Sequence, residues 1–114
     1  MVYKKENMKT YVRSNMKGGE GDISFIDFAD CTDFKNCRLM SEMTIPVGGS
    51  IGGHTHINES EYYIITEGTG TVVDNGVEKT VEKGDLVVTA HGESHKLANT
   101  GDVPMKVIAI IITY

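Results

Sequence analysis

Three histidines and one glutamate stand at spacings that suit a divalent transition metal: His54, His56, Glu61 and His95. Imidazole nitrogen suits Zn, Cu, Fe and Ni, and a carboxylate adds Mn to the set. Three nitrogens and one oxygen leave an octahedral ion with two open positions, as expected of a reactive or ligand-binding centre. A closed, tetrahedral zinc would be the purely structural alternative.

Such a site needs strands to carry it. Residues i and i+2 of a strand point to the same face, so His54 and His56 reach one ion if their segment is extended. Gly48, Gly49, Gly52 and Gly53 let the chain turn just ahead of them, where side chains would crowd. Glu61 opens the run Glu61-Tyr62-Tyr63-Ile64-Ile65-Thr66, and Asn58, Glu59 and Ser60 form the tight connection that returns it beside the histidines. His95 lies far downstream, so its arrival requires long-range closure of a sheet.

Strands are predicted almost throughout. The firmest local signal is Asn75-Gly76 between the β-rich runs 69–74 and 77–81, a type I′ hairpin. Further strands are predicted at 23–28, 38–47, 86–89, 95–99 and 104–114, with a loop or single helical turn at 30–35. Short strands, regular turns and no helical periodicity predict an all-β sandwich or barrel. With 114 residues the chain is one domain, divided here into a polar N-terminal arm at 1–22 and the barrel domain at 23–114. Val107 to Ile112 is apolar on both faces. One face should meet the interior. The other needs cover from the arm or a second subunit, which predicts a homodimer.

Eleven basic against 16 acidic residues give a net charge of −5, with no basic stripe, so nucleic acid is not an expected partner. No apolar run reaches membrane-spanning length, and residues 1–6 lack the apolar core of a secretion signal, so a cytoplasmic location is expected. Cys31 and Cys37 are read as reduced structural or surface thiols, because their spacing is not that of a metal pair and the His/Glu set is already complete.

The site residues fall in Gly48-x5-His54-x-His56-x4-Glu61-x6-Gly68 and Gly84-x5-Ala90-x-Gly92-x2-His95-x3-Asn99. These resemble the two paired motifs of the cupin superfamily, G-x5-H-x-H-x3,4-E-x6-G and G-x5-P-x-G-x2-H-x3-N. The one departure is Ala90 in place of the family's proline, which stiffens a turn and holds no metal. The resemblance implies a single cupin barrel (a double-stranded β-helix of jelly-roll type) with one divalent ion held by His54, His56, Glu61 and His95. The finer pattern is similar to small bacterial and archaeal single-domain cupins, some labelled oxalate-decarboxylase-like. That likeness favours manganese, with Fe, Ni or Zn as other options. The two-barrel decarboxylases carry a catalytic glutamate on a mobile lid. This chain predicts one barrel and no such lid, which argues against decarboxylation.

Around the centre, Tyr63 shares the strand face of Glu61 and either points its phenol into the pocket or packs in the core. Tyr62 should point the other way. Leu97 shares the face of His95 and would give the pocket an apolar wall. Glu93 and Glu59 read as solvated loop carboxylates, although a carboxylate near a metal can serve as acid or base. Tyr63 and Glu93 are thus the only catalytic candidates. His91 is expected at the surface or just outside the metal ligands, and Asn99 to bond backbone at its turn. Two functions follow: a metal-dependent enzyme acting on a small carboxylate, keto acid or sugar-like substrate, or a non-catalytic module that binds a small anionic ligand.

Overall fold

Alternation of buried and exposed side chains fixes which face of each strand turns inward. In β10 (Met105–Thr113), Met105, Val107, Ala109 and Ile111 are buried while Lys106, Ile108 and Ile110 are half-buried on the opposite face. The computed structural model describes residues 1–114, with nine further strands: β1 (Lys9–Ser14), β2 (Asp22–Asp27), β3 (Cys37–Ile45), β4 (Ser50–Thr55), β5 (Glu59–Glu67), β6 (Thr69–Asp74), β7 (Val77–Glu82), β8 (Leu86–Thr89) and β9 (Ser94–Ala98). Helical structure is confined to single 3₁₀ turns at Lys5–Asn7, Met16–Gly18 and Cys31–Asp33. No helix is long and apolar enough to cross a membrane.

The strands form two antiparallel sheets, ordered β1-β2-β3-β10-β5-β8 and β4-β9-β6-β7. No ladder joins one sheet to the other, so the all-β jelly roll is an open sandwich and not a formally closed barrel. Ile23, Phe25, Met43, Ile45, Ile65 and Val107 of the larger sheet meet Ile51, Val72 and Leu97 of the smaller one in a core that is almost wholly shielded from solvent. Burying one such aliphatic or aromatic side chain contributes about 1.5–3 kcal/mol. The Asn75-Gly76 hairpin forms as predicted. Asp74 pairs with Val77, and both loop residues have positive φ, 47° and 88°, as a type I′ turn requires.

The N-terminal stretch read as an arm carries structure of its own. Residues 9–14 form β1, which pairs with β2 of the same chain, and Tyr11 stacks on Phe25 with ring centroids 5.0 Å apart. The stretch therefore extends the larger sheet at its edge and leaves the outer face of β10 uncovered, with Ile112 36% exposed.

Candidate metal centre

Three ligands come from the smaller sheet and its margin. The fourth comes from the larger sheet. In the β4–β9 ladder Ile51 faces Leu97, the register shifts across Gly52 and Gly53, and His54 then faces His95 directly. The shift depends on glycine. A Cβ on Gly52 would collide with the carbonyl of Lys17, in the 3₁₀ turn packed against β4. His56 lies one residue beyond β4 and is stitched to the turn before β9: its N–H donates to the Glu93 carbonyl (3.1 Å), and its carbonyl accepts from Gly92 N–H (2.7 Å). The chain then reverses through Asn58, at φ 58°, into β5, where Glu61 projects from the opposite sheet.

His54, His56, Glu61 and His95 converge, with ligand atoms all within 4.8 Å of one another. His95 Nε2 is 3.0 Å from both His54 Nε2 and His56 Nε2, and Glu61 Oε1 is 3.1 Å from His56 Nε2 and from His95 Nε2. Bonds of about 2.1 Å give adjacent ligands an edge of about 3.0 Å in an octahedron and about 3.4 Å in a tetrahedron. The four short contacts fit the octahedral edge.

Hydrogen bonds at the other ring nitrogens match the same purpose. His54 Nδ1–H donates to the Gly52 carbonyl (2.8 Å), and His56 Nδ1–H donates to Glu59 Oε2 (2.6 Å). His95 Nδ1 shares a 2.7 Å hydrogen bond with Thr89 Oγ1. The first two bonds leave the Nε2 lone pairs of His54 and His56 facing inward, and a proton on His95 Nδ1 does the same for its Nε2. Lone pairs crowded to 3.0 Å repel unless a cation lies among them, so the donor set fits a divalent ion. Burial alone would raise the Glu61 carboxyl, but His56 and His95 outweigh it and hold Glu61 down at about 2. Burial lowers His54, whereas the hydrogen bond that His56 donates to Glu61 leads the effects that raise His56.

Glu59 corrects the expectation of a solvated loop carboxylate. It is the first residue of β5, only 8% exposed, and bridges His56 to Arg38. Arg38 grips it with a two-pronged pair, Nε to Oε1 at 2.8 Å and Nη2 to Oε2 at 2.7 Å. That grip is the leading reason the Glu59 carboxyl is lowered. Arg38 is the extra residue at a bulge, where Leu39 faces Ile111 and Cys37 faces Ile112. Glu59 stands two residues before Glu61 and shares its strand face once β5 begins at Glu59, but the turn-like stretch 58–60 gives no sign of that start.

Tyr63 is fully enclosed. Its ring stacks on His95 with centroids 4.7 Å apart, its hydroxyl lies 3.4 Å from His95 Nε2, and burial pushes the phenol well above its ordinary value. It is core aromatic and metal-site neighbour at once. Leu97 is fully buried in the intersheet core, between Ile51 and Val72 along the sheet. Tyr62 is half-buried on the outer face. Glu93 turns back on its own loop, its Oε1 accepting from Ala90 N–H at 3.0 Å. A proline at that position would have no N–H to donate, so here Glu93 tightens the turn that the proline of the motif would stiffen. His91 is exposed and accepts from Asn58 N–H, while Asn99 bonds the backbone of Ile45, Val103 and Gly101.

A family model described as Cupin domain matches residues 41–111, which contain all four candidate ligands. An oxalate-binding protein of Thermotoga maritima is 38% identical over 100 residues, covering 87% of this chain and 83% of that one. An uncharacterized protein of Methanocaldococcus jannaschii is 33% identical over 71 residues, covering 62% of this chain and 57% of its own. A Thermotoga maritima crystal structure described as a predicted oxalate decarboxylase superposes with a TM-score of 0.94 at 34% identity, and each chain covers 100% of the other. A Silicibacter pomeroyi structure described as a sugar phosphate isomerase reaches a TM-score of 0.81 at 16% identity, covering 100% of this chain and 76% of that one, a likeness of fold alone.

Proposed function

Because this chain belongs to the Cupin domain family, we propose that it uses one divalent metal ion to bind a small anionic ligand, with oxalate or another short carboxylate as the ligand class. The observation that carries this reading is the charge of the donor set. Three neutral imidazoles and one carboxylate leave a divalent ion with a net positive charge in a largely buried site. Glu59 does not cancel that charge, because Arg38 already pairs with it. A short carboxylate supplies the missing negative charge. The name of the Thermotoga oxalate-binding relative supports the same ligand class. Imidazole and carboxylate donors together suit manganese, iron, nickel or zinc.

The test is calorimetric titration of oxalate into manganese-loaded protein and into protein stripped with chelator. Saturable one-to-one binding only to the loaded form is expected. Equal binding to both forms, or to neither, refutes the reading.

A metal-dependent enzyme is the second reading, and Tyr63 is the observation in its favour: a buried phenol, held protonated, beside the ligand atoms. The ion would act as a Lewis acid toward the bound carboxylate, and Tyr63 would donate its hydroxyl proton in a hydrogen bond to developing negative charge. Glu93 has no such role while its carboxylate is held by Ala90 N–H. Carbon dioxide release or dioxygen uptake with oxalate, lost in Tyr63→Phe but with metal retained, would establish catalysis.

We also propose a homodimer through the outer face of the larger sheet. Ile108 lies between Glu42 and Ile64, and Ile110 between Met40 and Tyr62, along neighbouring strands. Leu86 and Val88, beside them on β8, are 57% and 43% exposed. An apolar sheet face of this kind calls for a partner. A monomer by light scattering at micromolar concentration would refute it.

A further inference from the structure

The geometry points to Cys31 and Cys37 as a redox-active dithiol, oxidised to an intramolecular disulfide by small disulfides that enter the cavity beside it. The two Sγ atoms are 2.8 Å apart, within about 1 Å of the ~2.05 Å disulfide bond. They are held there by the fold. Cys31 begins a 3₁₀ turn whose start is fixed by Asp30, which accepts from Thr32 N–H at 3.0 Å and from its hydroxyl at 2.7 Å. The turn closes with Phe34 N–H on the Cys31 carbonyl (3.1 Å). Asn36, at φ 61°, then swings the chain back so that Cys37 enters β3 opposite Ile112.

A thiol pair also needs a route for its oxidant. Both cysteines line a cavity of about 840 Å³ between the N-terminal segment and the chain from Asp27 to Met40, walled by Tyr3, Met8, Phe28 and Phe34 among others. Both side chains are only partly buried. The candidate metal ligands are not among the residues that line this cavity, so the dithiol is a second site and does not depend on the metal reading.

The chemistry balances as thiol–disulfide exchange. Burial, followed by the neighbouring Cys37, raises the Cys31 thiol, and exchange with Cys37 attacking first gives the same products as the reverse order. The Cys37 sulfur, giving up its proton, attacks one sulfur of the small disulfide and breaks its S–S bond. The first small thiolate leaves and takes up that proton. Cys31 then loses its proton and attacks the Cys37 sulfur of the mixed disulfide, expelling the second small thiol. Two cysteines are oxidised and one small disulfide is reduced to two thiols.

The experiment treats the whole protein with glutathione disulfide, blocks residual thiols by alkylation and reads the intact mass. Loss of both alkylatable thiols together, with a mass lower by two hydrogens and no retained glutathione, is expected. The change should reverse with dithiothreitol. Cys31→Ser and Cys37→Ser should each retain glutathione at the surviving thiol or leave it alkylatable. Two free thiols after prolonged exposure, stable glutathione adducts on the unaltered protein, or disulfide-linked dimers on a non-reducing gel would each overturn the assignment. The readout on the unaltered chain stands whether or not the serine variants fold.

Discussion

Glu59 is the residue through which the metal site is most sharply testable without touching a ligand. It orients His56 by a 2.6 Å hydrogen bond from Nδ1–H, and is itself fixed by Arg38. Removing the outer partner of a ligating histidine costs about 10- to 100-fold in metal affinity, or roughly 1.4–2.8 kcal/mol. Glu59→Ala should fall at the upper end, because His56 loses its acceptor and the ring is free to turn. Glu59→Gln should fall near tenfold, since an amide oxygen can still accept but carries no charge. Arg38→Ala should cost only a few-fold. The Arg38 side chain is 57% exposed, so its pairing is weakened by solvent, and Glu59 remains to hold His56. The assay is competition for Mn²⁺ against a chelator of known affinity. The order Ala, then Gln, then Arg38→Ala is the signature of a positioning role. Affinity within twofold of the unaltered protein for Glu59→Ala would refute it, and a lowered melting temperature with unchanged affinity would make Glu59 a structural residue only.

Other perturbations have equally definite outcomes. His95→Ala should abolish stoichiometric metal uptake. In the unaltered protein, metal at a hundredfold excess over its dissociation constant should stabilise the fold by about 2.7 kcal/mol, roughly 10–20 °C in melting temperature. An equal shift in the variant would place the ion elsewhere. Ile110→Asp, at the middle of the outer apolar face, should yield a monomer with an intact sandwich by circular dichroism; a persistent dimer would move the interface to another face. Tyr11 is raised by burial and then by its bond to Asp27. The folded phenol keeps its proton where the unfolded one loses it, so this stability is complete below about pH 10 and is lost as pH rises through the folded value. Tyr11→Phe should therefore show a shallower loss of stability in alkaline denaturation, and an unchanged slope would refute the assignment.

Periodicity and spacing were enough to identify most of the strands, the Asn75-Gly76 hairpin and the four converging side chains, because these depend on local alternation and on motif distances. Three features were not legible. Residues 9–14 are polar and mostly exposed, as an arm would be, and only pairing with β2 makes them a strand. Glu59 lies in a turn-like stretch, and its burial depends on Arg38 arriving from β3, a contact between residues distant in sequence. Glu93 offered a carboxylate near the second motif, but nothing in spacing shows that it folds back onto Ala90. The first two cases turned on a partner strand or side chain that local pattern does not encode, and the third on a side-chain rotamer within a single turn.

Glu61 stands on one sheet, whereas His54 and His95 stand on the other. The ion would therefore act as a rivet through the sandwich. Two sheets that otherwise meet through apolar packing and a few hydrogen bonds, Thr89 to His95 and Asn99 to Ile45 among them, would open as one unit when it is bound and as two when it is not. Amide exchange along β5 and β9 would then slow in concert on loading, while the β6–β7 hairpin, which carries no ligand, would exchange at its former rate. In this fold, filling the site and choosing the unit of local unfolding are the same event.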